Sequence, residues 1–68
     1  MTMVTKLAQL RLKLNMTQSD VSTKAGILLS TYQKLDSGSS DITKAQVGIV
    51  VKIAKALNTT VEELIKEN

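Results

Sequence analysis

The chain has 68 residues and a formal net charge of +3, from nine basic and six acidic side chains. This length predicts one domain, residues 1–68, near the lower size limit at which a hydrophobic core alone supports a fold. The absence of cysteine and histidine excludes disulfides, thiolate or imidazole metal sites and histidine general bases. Because Tyr32 is the one aromatic residue, the composition also argues against a base-stacking surface for single strands.

The rest of the composition predicts an all-α protein of the cytoplasm. Proline is absent and glycine is scarce, as in chains built from helices. Residues 1–14 carry three basic side chains and lack the apolar segment of a signal peptide. The apolar run 47–57 is too short to span a membrane and is interrupted by lysines, so we expect no membrane partner.

Two helices are predicted in the first third of the chain. The first runs from about Met3 to Leu14 and ends at Asn15; its apolar residues share one side at helical spacing, namely Val4, Leu7, Ala8, Leu10 and Leu14. Thr17 is the predicted N-cap of the second helix, with Asp20 three residues later. This helix ends at Gly26, since glycine tolerates the left-handed conformation of a helix end.

Three further helices complete a predicted compact bundle of five. The third spans Leu29 to Ser37, closes at Gly38 and precedes a polar connection. The fourth runs from about Thr43 to Leu57, with an inward stripe of Val47, Val50, Val51, Ala54 and Leu57. Within it, Gly48 is expected to lie against another backbone because glycine weakens a helix. Residues 60–63 form a capping-box pattern that opens a last helix through Lys66.

The second and third helices have the layout of a helix-turn-helix. Gly26 lies between them, and apolar residues occupy their inner faces: Val21, Ala25, Ile27, Tyr32 and Leu35. The outer face of the third helix, the part that would contact bases, holds Leu28, Leu29, Ser30, Gln33 and Lys34. The spacing alone is also typical of any small helical bundle.

A family resemblance extends over residues 6–65. It rests on Leu7, Leu10, Arg11, Met16, Thr17, Gln18, Val21, Gly26, Ile27, Tyr32, Leu35, Asp36, Gly38 and the segments 52–57 and 60–64. In these residues and their spacing the chain resembles the Cro and phage-repressor type helix-turn-helix family, also called the xenobiotic-response-element family. Residues 41–45, reading DITKA, resemble a branch of it with a longer connection before helix four. The resemblance implies a lambda-repressor-like DNA-binding domain.

The resemblance also implies roles for single residues. Gln18 would contact a phosphate and support the third helix, although an ordinary exposed glutamine is the alternative. Arg11 and Asp36 would form a structural ion pair between helices one and three. Asp36 is shorter than the glutamate usual in the family.

Residue chemistry points to the base contacts. Glutamine suits adenine, so Gln33 is a candidate for base readout, and Lys34 can donate to guanine or attract a phosphate. Ser30 and Thr31 more often bond phosphate oxygens. A solvated helix face is the alternative for Gln33 and Lys34, and the spacing of Tyr32 with Leu35 predicts a core position.

Two departures from the family pattern leave the partner open. Leu28 and Leu29 stand where the family has polar residues facing DNA, so they would pack on thymine methyl groups or form an apolar patch for a protein. Ser39, Ser40 and Asp41 replace the basic residues that many members carry after the glycine.

One recognition helix contacts only a few base pairs, and a two-fold dimer doubles this number. We therefore expect the protein to bind DNA as a two-fold dimer. By resemblance, the dimer interface would include Asn58, Thr59, Val61 and Ile65. Completion of the monomer core, which needs Val61 and Leu64 in any case, is the alternative for these residues.

The sequence therefore predicts a sequence-specific regulator of transcription that binds double-stranded DNA in the major groove. We expect a repressor that binds a palindromic operator as a homodimer. The alternative is a protein-interaction module, antitoxin- or antirepressor-like, that retains the fold. No pattern indicates an enzyme, a metal, a cofactor or a small-molecule ligand.

Overall fold

The computed structural model describes residues 4–65, and within this range the chain forms five α-helices and no strand. The helices are α1 (Lys6–Lys13), α2 (Gln18–Ala25), α3 (Leu29–Ser37), α4 (Val47–Ala56) and α5 (Val61–Ile65). A single 3₁₀ turn, Ile42–Lys44, lies between α3 and α4. The predicted all-α class and five-helix arrangement are confirmed.

Local capping chemistry fixes most of the helix ends. Thr17 Oγ1 accepts from Asp20 N at 3.0 Å while Asp20 Oδ2 accepts from Thr17 N at 2.9 Å, which is a complete capping box at the start of α2. Gly26 and Gly38 end α2 and α3 with φ values of 71° and 86°. The predicted N-cap at Thr17 and both glycine ends are confirmed.

The predicted start of helix four at Thr43 is wrong. Asp41 Oδ1 accepts from Thr43 N at 2.9 Å and from Thr43 Oγ1 at 2.6 Å, which holds a 3₁₀ turn. Ala45 is then extended, with ψ 158°, so α4 begins only at Val47. Val47 is therefore 74% exposed and does not belong to the inward stripe.

Other details of the prediction also need correction. A Cβ on Gly48 would meet no atom of the described residues within 4 Å, so this glycine does not lie against another backbone. The first helix begins at Lys6, after the N-cap Thr5, which leaves Val4 exposed before it. Leu14 is exposed as well. Met3 and Lys66 lie outside the described residues.

The core lies between α2, α3 and α4, with α1 and α5 packed around them. Its buried residues are Leu7, Val21, Ala25, Tyr32, Leu35, Val50, Ile53, Ala54, Ala56, Leu57 and Leu64. The predicted core positions of Tyr32 and Leu35 are confirmed, and Ile27 packs at the edge. Ile53, absent from the predicted stripe, is fully buried. Burial of such a side chain contributes about 1.5–3 kcal/mol.

Candidate nucleic-acid interface

The turn between α2 and α3 is built around Gly26. Ile27 N donates to Ser22 O at 3.0 Å across the glycine, and Gly26 N donates to Thr23 O at 3.2 Å. These are the two bonds of a Schellman helix end. A Cβ on Gly26 would meet no described atom within 4 Å, so the positive φ, and not space, requires glycine there.

Four side chains form a hydrogen-bonded cluster on the inner face of α3. This cluster, the polar network, consists of Arg11, Gln18, Tyr32 and Asp36. Asp36 is 4% exposed. Its Oδ2 accepts from Arg11 Nε at 2.7 Å and from the Tyr32 hydroxyl at 2.8 Å. Its Oδ1 accepts from Gln18 Nε2 at 3.1 Å and from Arg11 Nη2 at 3.3 Å. The structure thus places the predicted ion-pair partners side by side and joins α1, α2 and α3.

The network is held in one charge state at neutral pH. Burial alone would raise the pKa of Asp36, but hydrogen bonds from Arg11, Tyr32 and Gln18 together lower this pKa below its ordinary value. Burial, and then the bond to Asp36, raise the pKa of Tyr32. Asp36 is therefore an ionised acceptor, and Tyr32 keeps its proton and donates.

The outer face of α3, defined by Leu28, Leu29, Ser30, Gln33 and Lys34, is exposed to solvent. The opposite face, with Tyr32, Leu35 and Asp36, is buried. Thr31 lies between the two faces and is half-buried. The predicted contact residues on the outer face therefore share one accessible surface.

Two leucines form the leading edge of this surface. Leu28 is 74% exposed and Leu29 is 40% exposed. Leu28 occupies the N-cap of α3, and its hydrocarbon side chain offers no oxygen to the free amides of the first turn. An apolar pair thus lies beside the polar Ser30.

Gln18 connects the polar network to the outer face of α3. Its Nε2 donates inward to Asp36, and its Oε1 accepts from Gln33 Nε2 at 3.4 Å. Sequence reasoning named both glutamines but missed this link between them. It also missed Thr5, whose Oγ1 donates to Asp36 O at 2.6 Å. The four-residue spacing of Tyr32 and Asp36, one helical turn, was a usable signal for their bond.

A cleft of about 450 Å³ borders α3 on the side of the connection to α4. It is lined by Thr31, Lys34, Leu35, Ser40, Asp41, Lys44, Ala45, Gln46 and Ile49. Ser40 N donates to Lys34 O at 3.0 Å, which folds the connection back on the end of α3. Lys34 and Lys44 are the cations of this lining.

The residues predicted for a dimer interface lie around α5. Asn58 is exposed with φ 54°, and Thr59 N donates to Ala54 O at 2.8 Å. Val61 packs partly against the core, whereas Ile65 is 39% exposed. The structure thus leaves Ile65 and Asn58 accessible and divides Val61 between core and surface.

These features define a small helical domain with a helix-turn-helix and an accessible second helix. A family model described as helix-turn-helix matches residues 7–64. The chain therefore belongs to this family, the Cro/C1-type helix-turn-helix family, which is also called the xenobiotic-response-element family. Membership supports a DNA-binding regulator. Comparison with curated proteins and with solved structures found no match. Within residues 4–65, none of the helices is both long and apolar enough to cross a membrane.

Proposed function

We propose that the protein is a transcriptional repressor that binds a palindromic operator in the cytoplasm and acts by occupying it, without catalysis. The observation that carries this proposal is the two-faced α3. Gln33 and Lys34 lie on its outer face. On its inner face, Asp36 accepts hydrogen bonds from α1 and α2 and so holds the helix in place. An anchored helix presents its side chains in one geometry, which major-groove readout requires.

Base contacts are assigned to Gln33 and Lys34, and backbone contacts to their neighbours. Gln33 suits adenine, while Lys34 suits guanine or a phosphate. Ser30 and Thr31 provide hydroxyls for phosphate oxygens. The Gln18 amide retains one Nε2 hydrogen beyond its bond to Asp36, and this hydrogen serves a phosphate.

The size of the domain supports a homodimer. Its longest extent is 31 Å, close to one turn of B-DNA at roughly 34 Å, so one copy covers about one half-site. Two copies double the number of base pairs read, each of which contributes about 1–3 kcal/mol to discrimination. Asn58, Thr59, Val61 and Ile65 are the proposed interface residues.

Selection of bound sequences from a random duplex pool tests the proposal. The expected product is a sequence with two inverted half-sites. Affinity for it should fall linearly with salt on logarithmic axes, with a slope of about −0.9 per phosphate neutralised. No mobility shift with duplex DNA at low salt would contradict the proposal.

The exposed leucines favour a second candidate function, a protein-interaction module. Leu28 is 74% exposed at the leading edge of α3, and Ser39, Ser40 and Asp41 follow Gly38 where cations would favour DNA.

Replacing Leu29 with serine separates the two functions. If Leu29 packs on a thymine methyl, the variant loses preference at one base pair. If the chain is a protein-interaction module instead, neither the unaltered protein nor the variant shows a base preference. Leu12→Ser is the matched control, because Leu12 is 56% exposed on α1, outside the helix-turn-helix.

A further inference from the structure

The helix α4 has an exposed side that is apolar at one end and basic at the other. This side, the outer face of α4, is defined by Val47, Gly48, Val51, Lys52 and Lys55. Val47, Val51 and Lys55 succeed one another at four-residue intervals, so they stack along one side of the helix. Gly48 and Lys52 have the same interval and form the adjacent row. The opposite side of α4 packs into the core against α2 and α5.

The N-terminal half of this face consists of residues that serve neither the helix nor the core. Val47 is 74% exposed, although valine is a poor helix former. Gly48 has no positive φ, and its Cβ position is open among the described residues. Local rules broken without a gain inside the fold are expected at functional surfaces. Glycine in particular lets another backbone approach closely.

The C-terminal half of the face supplies positive charge. Lys52 and Lys55 are exposed, and α4 contains no acidic residue. Neither lysine forms an ion pair with another residue of the range 4–65. A second copy of this face would bring like charges together, whereas an acidic partner would be attracted. The charges therefore call for a partner that carries carboxylates.

We propose that the outer face of α4 binds an acidic amphipathic helix of another protein. Apolar side chains of that helix pack on Val47 and Val51, and its backbone crosses α4 at Gly48. Its carboxylates pair with Lys52 and Lys55. The site lies on a different helix from the outer face of α3, so the inference does not depend on the proposed function.

Nucleic acid is the other polyanion that two lysines attract. Its phosphate backbone has no apolar side chains to cover Val47 and Val51. An amphipathic helix carries apolar residues at intervals of three and four, which match the interval of the two valines. The valines therefore favour the protein partner over nucleic acid.

Selection from a library of random helical peptides, with the unaltered protein as bait, tests the inference. The expected peptides carry apolar residues at i, i+3, i+4 and i+7 and have Asp or Glu beside them. One selected sequence is then synthesised at a length of about 20 residues, so that it forms a helix. In an NMR titration of isotope-labelled protein with this peptide, the amide signals of residues 47–55 should shift.

Two variants examine the two halves of the face. Gly48→Leu fills the space that the partner backbone needs, and Lys52→Glu combined with Lys55→Glu repels its carboxylates. Each should weaken peptide affinity about tenfold or more. Leucine is also a better helix former than glycine, so Gly48→Leu should raise the thermal midpoint while it lowers binding. A purely structural role of Gly48 would move both in the same direction.

The controls match these variants in charge and fold. Lys13→Glu combined with Lys24→Glu makes the same change of charge at exposed positions on α1 and α2, and it should leave peptide affinity nearly unchanged. A peptide with lysine in place of its acidic residues should bind the Lys52→Glu, Lys55→Glu protein better than the unaltered one. Thermal unfolding followed by circular dichroism verifies the fold of each variant.

Other results would overturn the inference. These are a selection that enriches no peptide, or selected peptides that shift signals of α3 or α5 and not of α4. An equal loss in the Lys13→Glu, Lys24→Glu control would reduce the effect to net charge. Weaker binding to all DNA duplexes after Lys52→Glu and Lys55→Glu, with peptide affinity unchanged and a salt slope smaller by about 0.9 per lysine, would assign the face to phosphate contacts. Absence of DNA binding by the unaltered protein would reject the proposed function alone.

Discussion

At the scale of single residues, Asp36 carries more structural connections than its size suggests. It accepts from Arg11 of α1, from Gln18 of α2 and from Tyr32 one turn earlier in α3. Buried ion pairs add little net stability compared with an apolar replacement, but loss of one partner is costly. We therefore assign the network a positional role: it fixes α3 relative to α1 and α2.

Asp36→Asn is expected to lower the free energy of unfolding by about 3 kcal/mol at pH 7, because the charge of Arg11 loses its partner. This is the lower end for buried pairs, since the Arg11 side chain remains 14% exposed. Urea denaturation measures the change. A loss below about 0.5 kcal/mol, as expected for the exposed control Glu62→Gln, would contradict it.

We also expect the stability difference between Asp36→Asn and the unaltered protein to depend on pH. The pKa of Asp36 is lower in the folded than in the unfolded state, so its stabilisation is present above the unfolded value of about 3.9 and is lost as the pH falls through the folded pKa. Asparagine does not titrate. The stability difference between the two proteins should therefore shrink below about pH 4, and urea denaturation at several pH values checks this. A constant difference would contradict the lowered pKa.

At the scale of helices, replacing two glycines with alanine should change the stability of the fold in opposite directions. Gly26 has φ 71°, so Gly26→Ala should destabilise the fold by about 1–2 kcal/mol. Gly48 lies inside α4 with open space around its Cβ position among the described residues, so Gly48→Ala should stabilise it by about 1 kcal/mol. Thermal denaturation of both variants measures the two signs. Equal signs would contradict the conformational argument.

The start of α3 offers a further stabilising change. Leu28 is the N-cap, with φ −64° and ψ 138°, and is 74% exposed. Leu28→Ser adds a cap oxygen at little cost in burial, so the free energy of unfolding should rise by about 1 kcal/mol. Leu12→Ser, an exposed leucine inside α1, is the control and should bring no gain. A loss of stability in Leu28→Ser would show that Leu28 packs elsewhere.

The two ends of α2 were predictable from sequence, whereas long-range polar contacts were not. Thr17 and Gly26 act through atoms a few residues away, so their spacing carries the signal. Helix four was predicted too long because Asp41 caps a 3₁₀ turn that contains Thr43. In sequence, such a turn resembles the first turn of an α-helix. The bond from Gln18 to Asp36 joins residues 18 apart, and such a contact exists only once the helices pack.

At the scale of the whole molecule, the helix-turn-helix is enclosed on its inner side and open on its outer side. α4 packs against α2, while α5 packs against α4 and α1. The outer face of α3 and the region around Ile65 remain accessible. This arrangement separates the proposed DNA surface from the proposed dimer surface.

Ile65→Asp tests the proposed dimer. Ile65 is 39% exposed on α5, and a charge there should weaken self-association about tenfold or more, given about 1.5–3 kcal/mol for a buried isoleucine. Analytical ultracentrifugation measures association directly. Leu12→Asp, at a 56% exposed position on α1, should leave it unchanged. Equal effects of both variants would reject this interface.

The burial of Tyr32 gives the protein an intrinsic optical probe. The chain has one tyrosine and neither tryptophan nor phenylalanine, so its near-ultraviolet signal comes from a single ring. That ring is fully buried, and its hydroxyl donates to Asp36. Unlabelled protein thus reports, through one chromophore, whether the hydrogen bond between Tyr32 and Asp36 is intact while salt or acid is titrated.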